Sequence, residues 1–95
     1  MPTLRKGAYV IGTTQNITTS GSSQQSTAVG ASTTVVRIAV NADTYIAVGS
    51  NPTATTSSMM IPSGGTEFIA VNESTDKIAV LQVSASGIAS ITELA

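Results

Sequence analysis

Along the 95-residue chain, apolar positions recur in short runs with a period of two, and no long stretch carries the helical period. The firmest run is TTVVRIAVN, residues 33–41. It places Val36, Ile38 and Val40 on one face and Val35, Arg37 and Ala39 on the other. Asn41-Ala42-Asp43 reads as a turn. TYIAVGS then sets Thr44, Ile46 and Val48 on one face and Tyr45 and Ala47 on the other. The two runs are expected to form a hairpin. After a loop at 51–56, residues 58–61 make a short strand, stopped by Pro62-Ser63-Gly64-Gly65. A second hairpin is expected from EFIAV (67–71) and KIAVLQV (77–83). The strand at 77–83 is apolar on both faces, which places it centrally in a sheet. IASITE, 88–93, is the last strand.

The first third of the chain is less legible. Residues 8–11 read as a strand with Gly at each end. The polar stretch 13–32 is long for a structureless loop. Part of it is expected to pair, near 25–29, or to lie against another subunit. Seven to eight short strands separated by frequent turn signals predict an all-β chain: a small antiparallel β-sandwich, jelly-roll-like. Residues 1–6 are read as an N-terminal arm and 7–95 as one domain. The tripeptide Ile-Ala-Val occurs four times, at 38–40, 46–48, 69–71 and 78–80. Each copy turns Ile and Val one way and Ala the other, and an Ala face lets a neighbouring layer approach closely.

Composition narrows the chemistry. The chain has no Cys, His or Trp, so disulfides, thiol chemistry, imidazole metal sites and Ser-His pairs are excluded. Four basic residues and a net charge of −1 leave no electrostatic footprint for nucleic acid. No apolar run reaches the length of a membrane span or signal segment, so the chain is expected to fold in a cytoplasm. At 41% hydrophobic, it is too apolar to be wholly disordered. A domain this small is marginally stable. Its core is expected to include Phe68, one of only three aromatics with Tyr9 and Tyr45. With disulfides and metals excluded, stability is expected from self-association or from docking on a larger partner.

The five carboxylates, Asp43, Glu67, Glu73, Asp76 and Glu93, form no metal or glycosidase pattern, and three of them lie in turns. No catalytic, cofactor or metal site is expected. Arg5 and Lys6 form a short basic arm that could dock an acidic partner. Arg37, mid-strand, suits either an ion pair at a subunit boundary or a solvent-directed position.

The segments DTYIAVGSNPTATTSSMMIPSGGTEFIAV and DKIAVLQVSASGIASITEL, within residues 43–94, resemble a group of small virion proteins of tailed bacteriophages. The shared parts are an aromatic-Ile strand, a Gly-Ser-Asn-Pro-Thr-Ala-Thr loop, a Pro-Ser-Gly turn, an aromatic strand, an Asp-Lys-Ile-Ala-Val strand and a closing Ile-Thr-Glu. About half the chain is covered; residues 1–42 add only the strand pattern. The resemblance implies a β-sandwich component of the particle. The role expected from it is a non-catalytic decoration or cement protein on the outer capsid surface. Its partners would then be the major capsid protein and itself, as a homotrimer or other homo-oligomer, with no nucleic acid, membrane or small-molecule substrate. The candidate capsid or subunit contacts are Arg5, Lys6, Arg37 and Tyr45. A neck or tail component is the alternative within the virion. A carbohydrate-binding β-sandwich is the alternative outside it.

Overall fold

A computed structural model describes residues 9–95. Within them the chain forms eight strands: β1 (Ile11–Thr18), β2 (Gln24–Gln25), β3 (Val35–Val40), β4 (Thr44–Gly49), β5 (Met59–Ile61), β6 (Thr66–Ala70), β7 (Lys77–Gln82) and β8 (Ile88–Leu94). They build two four-stranded sheets, ordered β1-β8-β3-β6 and β2-β7-β4-β5, and every pairing is antiparallel. Strand partners nest around the β4–β5 connection: β4 with β5, β3 with β6, β2 with β7 and β1 with β8. This is the jelly-roll arrangement, a double-sheet solution to burying one face of every strand.

The inward faces follow the alternation. Val36, Ile38 and Val40 of β3 face Ile46 of β4 and Ile78 and Val80 of β7 across the sandwich, with Val29, Ile61, Ala89 and Ile91 completing the core. The core is therefore aliphatic. β7 lies between β2 and β4 with Ile78, Ala79 and Val80 fully buried, as its two apolar faces predict. Phe68 corrects the expectation of an aromatic core. It is 55% exposed on the outward side of β6, because it stands opposite Arg37 and not opposite the inward Val36 or Ile38.

Neither predicted hairpin forms. β3 and β4 lie in different sheets, and so do β6 and β7. Residues 41–43 and 71–76 are corners that carry the chain across the sandwich. At the first corner the Asn41 N–H donates to the Ile88 carbonyl (3.2 Å), and the Ile88 N–H donates to Asn41 Oδ1 (2.7 Å). Asp43 Oδ1 accepts from the Ser63 N–H at 2.7 Å. At the second corner, Asp76 Oδ2 accepts the Asn72 N–H (2.8 Å), and Ser74 takes a left-handed φ of 64°. A period-two pattern fits a hairpin in one sheet and a corner between two equally well, since both bury the same face.

The N-terminal segment also differs from expectation. Residues 9 and 10 precede the first strand, and residues 13–18, polar except for Ile17, form most of it. Val10 and Ala95 nevertheless exchange backbone hydrogen bonds (2.8 and 3.0 Å), extending the β1–β8 ladder. Pairing within the polar stretch falls at Gln24–Gln25, with further bonds from Ser26 to Ile78 and from Val29 to Asp76. The arm at 1–6 lies outside the described residues.

Candidate interaction surface

The outward faces of the two sheets are unlike. Over the second sheet the β4–β5 connection folds back as a flap. The Ala54 N–H donates to Ser23 Oγ (2.9 Å), and Gln25 Nε2 donates to Asn51 Oδ1 (2.9 Å) and to the Pro52 carbonyl (2.7 Å). Ser23 and Gln25 lie at the β2 edge, so the flap must cross β7 to reach them. Beneath it, Gln25, Ala79 and Ala47 stand in register across β2, β7 and β4. Two methyl groups let backbone lie this close, and Pro52, Ala54 and Ala79 are buried as a result.

Among the described residues, nothing comparable covers the first sheet. Register places Ile11, Leu94, Val35 and Ala70 in one row across β1, β8, β3 and β6 on its outward side. The next row runs Thr14, Thr92, Arg37, Phe68, and the third Asn16, Ser90, Ala39, Thr66. The Tyr9 ring stacks on Phe68 with centroids 6.1 Å apart and planes 21° from parallel. Their backbones lie toward opposite edges of the sheet, so the pair bridges over the strands between, and Leu94 there is only 5% exposed. Val35 beside it is half-buried, while the ends of the row are open: Ile11 is 74% exposed and Ala70 is exposed. The result is a face that is apolar at one end and lined with Thr, Ser and Asn at the other. Arg37 is the single charge in its three rows. Exposed apolar surface of this contiguity marks an interaction site more often than scattered single residues do.

The sequence-derived contacts separate. Arg37 is exposed at the middle of this face, between Thr92 and Phe68. Tyr45 is half-buried on the opposite side of the sandwich, between Met60 and Leu81. One flat partner cannot touch both. Arg5 and Lys6 lie outside the described residues. The row Ile11–Leu94–Val35–Ala70 escaped the sequence reading, although Val35 beside the inward Val36 was a signal: two adjacent apolar residues in a strand point opposite ways.

Three of the five acidic side chains, Asp43, Asp76 and Glu93, hold loops. Glu93, half-buried, accepts from the Gly30 N–H (3.0 Å) and Thr33 Oγ1 (2.6 Å) through one carboxylate oxygen. Among the described residues, no three acidic side chains gather where they could hold a metal ion. No protein-family model matches the sequence, and no curated protein or solved structure is significantly similar to it.

Proposed function

We propose that the protein is a structural component of a tailed-phage virion, a decoration or cement protein. In this reading it binds the major capsid protein on the outer surface of the head and bridges neighbouring copies. It does so without catalysis, as a homotrimer or other homo-oligomer. The observation that carries the reading is the open outward face of β1, β8, β3 and β6, with its apolar row and single central charge. Such a face suits docking on a broad protein surface better than enclosing a small molecule, which calls for a concave site. The resemblance of residues 43–94 to small phage virion proteins supports the same role, as does a jelly roll, an architecture that viral capsid domains use. Fold by itself does not choose a task. Many copies on a lattice convert modest single contacts into firm attachment.

The test is occupancy on particles. Purified protein added to heads lacking it should bind in hundreds of copies, by the repeated-site logic of a lattice. Phe68→Glu, at an exposed position that leaves the core intact, should lower occupancy at least tenfold. A dozen copies or fewer at one vertex would assign it to the neck or tail instead. Removing residues 1–6 should weaken binding if the arm takes part, and unchanged occupancy would leave the sheet face alone responsible. The exposed Tyr9–Phe68 stack also gives the carbohydrate-binding reading a specific site, since sugar rings lie against aromatic faces. Glycan binding that disappears in Phe68→Ala, with no binding to heads, would replace the proposal.

A further inference from the structure

The four sheet edges are not equivalent. On the second sheet, the edge strands β2 and β5 span two and three residues. Short edges of this kind resist pairing with another chain. On the first sheet, the β6 edge carries the exposed charge of Glu67. The fourth edge is β1: eight residues long, without a charge or a proline, and exposed over most of its length. An irregularity between Ile11 and Thr14 interrupts its start, and Thr14–Thr18 then pair residue by residue with β8.

The hydrogen-bond phase of that segment can be read from its end. The Thr19 N–H turns toward β8 and donates to the Gly87 carbonyl at 2.8 Å. Alternation then turns the main-chain groups of Ile17 and Gln15 toward β8, and those of Thr14, Asn16 and Thr18 outward. Among the described residues no main-chain hydrogen bond reaches these outward groups. Gln15 ties the neighbouring loop down on the core side, its Oε1 accepting from the Thr27 N–H at 3.0 Å, and leaves the edge itself uncovered.

We infer that the β1 edge is the site where a second copy of this chain adds, β1 to β1, antiparallel about a two-fold axis at Asn16. The register follows from the phase. Asn16 meets the partner's Asn16, and Thr14 meets the partner's Thr18, each as a mutually hydrogen-bonded pair, for about six main-chain bonds in all. A second copy is the fitting occupant because the edge is neutral: a segment of Thr, Gln, Asn, Ile and Thr meets its own image with no like charges opposed. The side chains that meet on the outward face are hydroxyls and amides, which pair with themselves. An axis perpendicular to the sheet also keeps both outward faces on the same side. Two copies thus present one continuous eight-stranded surface, doubling the face described above. This pairing stands on the edge geometry and holds whether or not the partner surface is a capsid.

The test is the mass of the intact protein in solution by sedimentation at micromolar concentrations, with hydrogen exchange alongside. Wild type should be a dimer that dissociates on dilution, and the Thr14, Asn16 and Thr18 amides should lose protection as it does so. Thr14→Lys with Thr18→Lys sets two pairs of like charges across the axis and should weaken association about tenfold or more. Thr14→Lys with Thr18→Glu opposes Lys to Glu twice across the same axis and should restore the dimer, in a salt-sensitive form. A monomeric wild type would overturn the inference. So would a double-lysine variant as dimeric as wild type, or a lysine–glutamate variant no better than the double lysine. If a variant fails to fold, the wild-type exchange pattern still decides: amides at 14, 16 and 18 equally exposed at all concentrations would refute the pairing. Particle occupancy is not used, so failure here leaves the decoration reading standing, and the reverse.

Discussion

Glu93 lies on the core side of β8, next in phase to Ile91, yet its partners are a backbone amide and a hydroxyl of the β2–β3 loop. One oxygen thereby fixes the loop that delivers Val29 to the core. Glu93→Ala leaves both donors without this acceptor and should cost about 1–3 kcal/mol, read from urea unfolding. Glu93→Gln keeps an acceptor and should cost less. Gly87 serves the opposite end. A Cβ there would stand 2.5 Å from Ala42 Cβ and 2.6 Å from Asn41 Oδ1, so the corner between β3 and β4 must move if a side chain is added. Gly87→Ala should therefore destabilise by about 1–3 kcal/mol. Neither role could be read from the sequence. Alternation assigns a residue to a face, and a Gly before a strand reads as a turn, but which distant loop arrives beside either one depends on the strand order.

The four Ile-Ala-Val tripeptides show the same distinction for whole strands. In all four the Ala was expected to admit a close layer, and the structure meets that expectation most fully at Ala79, under the β4–β5 flap. Ala70, in the same tripeptide on β6, is exposed. Leucine at these two positions should thus behave differently. Ala79→Leu should cost about 1–3 kcal/mol by overpacking and speed exchange of the Ala54 amide as the flap lifts. Ala70→Leu should stay within about 0.5 kcal/mol of wild type, measured by the same denaturation. Strand positions from residue 33 onward were legible because Val and Ile alternate strongly with small or polar residues. β1 was not, because in TTQNIT only Ile17 carries an apolar side chain to the core, and the half-buried Gln15 on the same face is polar, so the alternation of burial leaves no apolar pattern in the sequence. Strand partners were hidden for a different reason. Corner and hairpin bury the same faces, and only the packing of both sheets together selects between them.

At the scale of the molecule, the core of Ile and Val side chains is small, and the described fold leaves 5228 Å² accessible, near the roughly 5,000 Å² expected for a monomer of this mass. Stability supplied by a second copy should appear as a melting temperature that rises with protein concentration, a dependence that calorimetry at two dilutions can detect. The β-sandwich was legible as a class, and the open face that recommends it for docking was not, because its three rows are recognisable only once β8 is known to separate β1 from β3. That placement has a consequence in time. β8 comes last of the eight strands in chain order but sits inside its sheet, so β1 and β3 must wait, unpaired on their facing edges, until it is synthesised. Pairings this distant along the chain fold slowly, on the order of milliseconds to seconds. Nascent chains on neighbouring ribosomes hold complementary open edges during that interval, and exchange of β8 between them is the characteristic error to look for when the protein is produced at high level.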